Sequence, residues 1–159
     1  MIVNTYNYGD IECSESDFLE FPDGILGFPD LKQYLLLSYD DDDTILILQS
    51  VQKPEVSFAV LNPLVLCPDY APNLTPEELA ALEVNDCESL SYYVICVVKE
   101  NYLDNTVNLK CPLVVNPATL KGMQVIMEGT PYHFRHSFNS FPHIAGKDKI
   151  EENRGDASC

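Results

Sequence analysis

The chain has 159 residues, 46% of them hydrophobic, enough for one domain with its own core and no need of disulfides or a metal. Its formal net charge of −16 sets direct nucleic-acid binding aside, because like charges repel a phosphate backbone. No apolar run approaches the ~18 residues needed to cross a bilayer, so no membrane partner is expected.

The N-terminus, MIVNTYNYGD, carries neither the basic segment nor the apolar stretch of a signal peptide, and a cytoplasmic location is expected. Short strand signals then follow one another: IVNTY, DIECS, a fragment at 17–21, YLLLSY, TILILQSV, VSFAVL, YYVICVV, TVNL, LVV, MQVIME and YHFRHSF. Val, Ile, Tyr, Phe and Thr dominate them, and turn residues separate them at short intervals. That punctuation predicts an all-β, mainly antiparallel fold, a sandwich or small barrel-like body rather than alternating βαβ units.

Between the strands, FPDG at 21–24 places Pro22 and Asp23 at the corners of a type I turn, followed by Gly24. YDDDDT at 39–44 reads as an acidic hairpin tip. Acidic residues crowd the first 45 positions, where Lys32 is the only base. Such asymmetry either steers in a basic protein partner or only keeps the chain soluble. TILILQS and YYVICVV are apolar almost throughout rather than alternately, so both faces of each strand need cover. One short helix is signalled: Thr75 as N-cap, Pro76 at the first helical position, Glu78 completing a capping box, Leu79 and Leu82 on the apolar face, Asn85 as a stop. From Asn139 the pattern dissolves, which divides the chain into a β domain at 1–138 and a mostly disordered polar tail at 139–159.

Reactive chemistry is hard to assemble from these residues. The Asp40–Asp43 run lacks the alternating ligands, central glycine and distal glutamate of a calcium loop. His133 and His136, three apart on a strand, point to opposite faces and cannot share a metal. Cysteines stand at 13, 67, 87, 96, 111 and 159, without the close spacing of a zinc or redox motif. They are expected as reduced structural thiols, with Cys159 free and exposed at the end of the tail. No glycine-rich phosphate loop or GxSxG elbow is present. Neither an enzyme nor a cofactor is expected.

The stretch TVNLKCPLVVNPATLKGMQVIM at 106–127 is different. Asn108, Asn116 and Gln124 interrupt what is otherwise buried strand, and a buried amide without partners costs about 1 to 3 kcal/mol. The three therefore either bond the backbone at irregular strand ends or face outward to a partner; Asn116, before Pro117 at a turn, favours the structural role. Pro112 has no amide hydrogen, so it marks an edge or bulge. An edge beside polar amides is where another chain's backbone can dock.

FPDGILGF, LQSV, PDY, the NL-x-x-P-x-x-x-N segment followed by G-x-Q, and the closing RHSF occur in this order. Together they resemble the FliW family of flagellar assembly factors, over about Met1 to Phe138. Ile47 stands before LQS where an aromatic is common, and Cys111 replaces the usual small residue before Pro112. The resemblance implies a non-enzymatic all-β protein that binds flagellin and the translational repressor CsrA. Occupied by unexported flagellin, such a protein leaves CsrA free; once flagellin is exported, it binds CsrA and releases the flagellin messenger. On that reading the partner surface comprises Asn108, Pro112, Asn116 and Gln124 with the Asp69-Tyr70 loop. Tyr70, with its apolar ring and polar tip, suits an interface anchor or, alternatively, a cap on the core beneath the loop. A monomer is expected. The alternatives are a chaperone-like binder of another secreted subunit, and a small-molecule-binding β-barrel with a closed pocket.

Overall fold

The computed structural model describes residues 1–38 and 44–141; the expected acidic tip at Asp40–Asp43 and the tail from residue 142, with Cys159, lie outside the described residues. Among the described residues eleven short strands appear, each overlapping a stretch signalled by the sequence: β1 (Ile2–Thr5), β2 (Gly9–Glu12), β3 (Leu19–Glu20), β4 (Gln33–Ser38), β5 (Ile45–Ser50), β6 (Ser57–Leu61), β7 (Ser91–Val97), β8 (Thr106–Val107), β9 (Leu113–Asn116), β10 (Lys121–Gln124), which starts before MQVIME and ends at its second residue, and β11 (His136–Ser137). The expected boundary at Asn139 falls inside a single 3-10 turn, Phe138–Ser140.

The main sheet runs β11-β8-β7-β6-β5-β4-β3-β10-β9, and β9 returns to pair with β7. Seven strands, β3 to β7 with β9 and β10, thereby close into a barrel. β7 makes this possible by splitting its pairing: Ser91–Tyr93 face β9, while Cys96 and Val97 face β8. All pairings are antiparallel except β3 with β10, which meet in parallel at one rung, Lys121 opposite Glu20.

Alternation along the strands builds two cores. Tyr34, Leu48, Val60, Leu113 and Val115 point into the barrel with Phe21 and Ile25. The intervening residues, among them Leu61, Val94, Cys96 and Val114, point outward into a second cluster. Leu66, Tyr70, Leu82, Leu90, Leu109, Val125, Met127 and Phe138 cover that cluster. YYVICVV is thus apolar throughout because Tyr93 and Ile95 serve one core while Tyr92, Val94 and Cys96 serve the other. A third, smaller cluster lies where the β1–β2 hairpin lays Val3 over Leu35 and Phe18. Gly122 is a close approach: a Cβ there would stand 2.6 Å from the Phe21 ring that fills the barrel.

The helix α1 (Pro76–Ala81) starts as its capping box dictates, with Thr75 Oγ1 accepting from Glu78 N–H and Glu78 Oε1 accepting from Thr75 N–H. It stops before the expected Asn85. Glu83 adopts a left-handed conformation at φ 62°, and the amides of Glu83 and Val84 turn back to the carbonyls of Ala80 and Leu79. Leu82 is thereby released from the helix and inserted into the outer core.

The hydroxyl of Tyr34 is fully buried in the barrel and has no hydrogen-bond partner among the described residues. Burial pushes its pKa up to about 12. Tyr34→Phe keeps the edge-to-face contact with Phe21, whose ring centre lies 5.6 Å away, and removes the unpaired group. The variant is expected to be as stable as the parent or more stable by about 1 kcal/mol. Urea unfolding with an unchanged m-value measures it.

Candidate functional site

All three interrupting amides bond the backbone. Asn108 Oδ1 accepts from the amides of Lys110 and Cys111 at 3.1 and 3.0 Å, shaping the bend before Pro112. Asn116, only 4% exposed, donates from Nδ2 to the Leu82 carbonyl at 2.8 Å and accepts at Oδ1 from Ala118 N–H at 3.0 Å. Gln124 accepts at Oε1 from Leu26 N–H at 2.7 Å and donates from Nε2 to the Cys111 carbonyl at 3.2 Å. Each of the three thus has the backbone-bonding role, one of the two that the sequence left open. Asn116 and Pro112 are buried, while Asn108 and Gln124 are half-buried.

An outward-facing Tyr70 is likewise not what the structure has. Tyr70 is 4% exposed; its hydroxyl donates to the Leu109 carbonyl at 2.6 Å and its ring stands 4.9 Å from that of Tyr132. Burial, then the neighbouring Tyr132 and Cys111, raise its pKa well above the ordinary phenol. It locks the Asp69-Tyr70 loop onto the bend that Asn108 shapes, and leaves Asp69 exposed.

Gln124, but not Asp69, Tyr70, Asn108, Pro112 or Asn116, lines a groove of about 300 Å³ between the Asp23–Pro29 turns and β10 with its continuation. Leu26, Met123 and Ile126 line it with Cys111, Gln124 and Asp23. Leu26 is 67% and Ile126 53% exposed, although both are large and apolar. Leu26 is held out because Phe28 N–H bonds the Ile25 carbonyl at 2.7 Å, a tight turn completed by Gly27 at φ +92°. Beyond Gln124 the hairpin ladder continues through Val125 N–H to Pro112 carbonyl and Met127 N–H to Lys110 carbonyl. Strand alternation then aims the N–H and C=O of Ile126 away from β9. They find no backbone partner among the described residues. The unpaired N–H and C=O of Ile126 therefore lie along an apolar groove; Pro112, whose carbonyl takes the Val125 N–H inside the ladder, is not on that edge.

The family model described as "FliW protein" matches residues 2–138. The chain belongs to the FliW family. It is 36% identical over 137 residues to the flagellar assembly factor FliW of Ruminiclostridium cellulolyticum, covering 86% of this chain and 93% of the relative. It is 36% identical over 147 residues to that of Geobacillus kaustophilus, covering 92% and 100%. A crystal structure of the flagellar assembly factor FliW superimposes with a TM-score of 0.81 at 34% identity, over 87% of this chain and 96% of that one. Family and fold thus agree with the motifs read from the sequence.

Seen as family signatures, the motifs have distinct physical jobs here. In LQSV, Gln49 is buried and its Nε2 donates to the carbonyls of Ser50 and Pro54, both at 3.0 Å, while Ser50 Oγ accepts from Lys53 N–H at 3.0 Å. That motif builds the β5–β6 turn. In RHSF, only His136 and Ser137 form strand, because His133 N–H donates to His136 Nε2 at 2.8 Å and bends the chain. The two rings stack 5.4 Å apart, so the placement on opposite strand faces does not hold. No group of three His, Cys, Asp or Glu side chains suited to a metal occurs among the described residues.

Sequence reasoning missed Leu26 and Ile126. A signal was available for the second: with period two, Gln124, Ile126 and Glu128 share a face, and an isoleucine between two polar residues is out of place on a solvated one.

Asn116→Ala removes both ends of a buried bridge and is expected to cost about 2 kcal/mol of folding stability, more than Gln124→Ala, when compared by denaturant midpoints. A second expectation concerns His136. Burial and then the neighbouring His133 disfavour its charged form, lowering the pKa from 6.5. The stability contributed by the neutral ring is whole above about pH 6.5 and is lost as pH falls through the lower folded value. An NMR titration of the folded protein should place the His136 midpoint below the ordinary 6.5, since a protonated Nε2 cannot accept the His133 N–H.

Proposed function

We propose that this chain is a non-enzymatic, cytoplasmic flagellar assembly factor that binds flagellin and, when free of it, binds CsrA and relieves repression of flagellin synthesis. Membership of the FliW family supports the flagellar role. The observation that carries a binding role is the exposed apolar groove with its unpaired edge, a surface a monomer has no use for. The barrel interior is filled by Phe21, Tyr34, Leu48 and their neighbours, which disfavours a small-molecule carrier. A net charge of −16 makes any effect on RNA indirect.

The six residues assigned to the partner surface divide by burial. Asp69 is exposed and Asn108 and Gln124 half-buried, so these three can touch a partner. Tyr70, Pro112 and Asn116 are buried and serve the surface from beneath, holding the bend, the inner ladder and the turn beside it.

Calorimetric titration of the chain with purified flagellin and with CsrA tests the proposal. Each is expected to bind at micromolar concentration or tighter, and saturation with flagellin should weaken CsrA binding at least tenfold. No binding of either ends the proposal; a ternary complex with unchanged affinities ends the switch.

A further inference from the structure

Resting on that binding role, the geometry points to strand addition as the way a partner is held: an extended segment of the partner polypeptide pairs with the Gln124–Glu128 edge. The unpaired N–H and C=O of Ile126 set this choice. A helix satisfies its own backbone and would leave both groups desolvated and unbonded beneath it, at a cost of about 1 to 3 kcal/mol each. A strand satisfies them and gains main-chain hydrogen bonds in return.

The side chains around the edge state what the segment should carry. Leu26, Met123 and Ile126 offer apolar contact at one level of the groove, which suits apolar residues at alternate positions of the incoming strand. Asp23 stands in the groove, Asp30 follows its Pro29 wall, and Glu128 ends the edge, all three exposed. The nearby Lys110 is engaged over the Phe134 ring at 5.3 Å. The rim is therefore acidic, and the segment should have a basic flank. The outward row of the edge is Gln124, Ile126 and Glu128, without proline or lysine; Gln124 turns its side chain to the Leu26 amide, which leaves Ile126 as the open rung among the described residues.

Amide hydrogen exchange of the full-length chain, read by NMR with flagellin or CsrA added in turn, tests this directly. In the free chain Ile126 N–H should exchange fast while Val125 and Met127, bonded to Pro112 and Lys110, are protected. At saturation with a binding partner Ile126 should gain at least tenfold protection. Ile126→Pro deletes the outward N–H and should weaken that partner at least tenfold at unchanged melting temperature, whereas Ile126→Val, which keeps the N–H and loses one methylene of apolar contact, should weaken it by less than about fivefold. If the proline variant fails to fold, exchange in the parent still decides. Fast Ile126 exchange in a saturated complex overturns strand addition alone. So does protection in the free chain, which would assign the edge to a second copy if it depends on concentration and to the chain's own tail if it does not. Failure of both proteins to bind overturns the functional reading, and this proposal with it.

Discussion

One buried amide holds this side of the barrel together. Asn116 sits at the end of β9, where it reaches the last carbonyl of the helix region with one atom and the amide of Ala118 with the other. Its own carbonyl accepts from Leu120 N–H at 2.8 Å, closing the turn that starts β10. Leu120 then sits in a left-handed conformation at φ 61° and presents its carbonyl to Glu20 N–H at 2.8 Å. That bond belongs to the single parallel rung by which β10 meets β3. A buried amide is worth its desolvation only when both ends are paired. Here the pairing of one side chain ties helix, turn and barrel closure together.

So short a closure leaves most of β10 without a neighbour on its outer side. β3 ends at Glu20, and the chain turns away through Pro22 and Asp23, so among the described residues no strand covers the outer side past Gly122. Gln124 closes part of the gap with its side chain, bonding the Leu26 amide where a strand partner would otherwise have used backbone. Inside the hairpin ladder Pro112 accepts from Val125 but cannot donate in return, which leaves that rung with one bond. The open edge thus follows from a two-residue strand, and the backbone bonds of Asn108, Asn116 and Gln124 help keep the region in shape.

Much of this architecture was legible in the sequence. Capping chemistry acts over a few residues, so Thr75, Pro76 and Glu78 announce the helix start plainly. Alternation of side chains along a strand made it clear that YYVICVV has two covered faces. Direction was not legible for the amides, because an asparagine that bonds a distant carbonyl and one that faces a partner need the same atoms. The Leu82 carbonyl that Asn116 reaches is fixed by the tertiary fold, and no local pattern names it. The same holds for Tyr70, whose polar tip suits a wet interface and a buried carbonyl equally until Leu109 is seen beside it. Barrel closure through one rung, between segments far apart in the chain, leaves no periodic trace at all.

A strand edge also bears on how two partners could compete. It offers a single row of donors and acceptors, and the groove beside it is about 300 Å³, room for the side chains of one extended segment. Two proteins that both pair with Gln124–Glu128 exclude one another without any conformational change, so their coupling equals full competition. Proteins binding at separate faces would need a two-state element to couple them, and the ties through Asn116, Gln124 and Tyr70 hold this region in one arrangement. Rigid framing of one edge therefore favours exchange of partners by direct displacement, at rates set by the leaving partner and by the salt-dependent attraction of the next to an acidic rim.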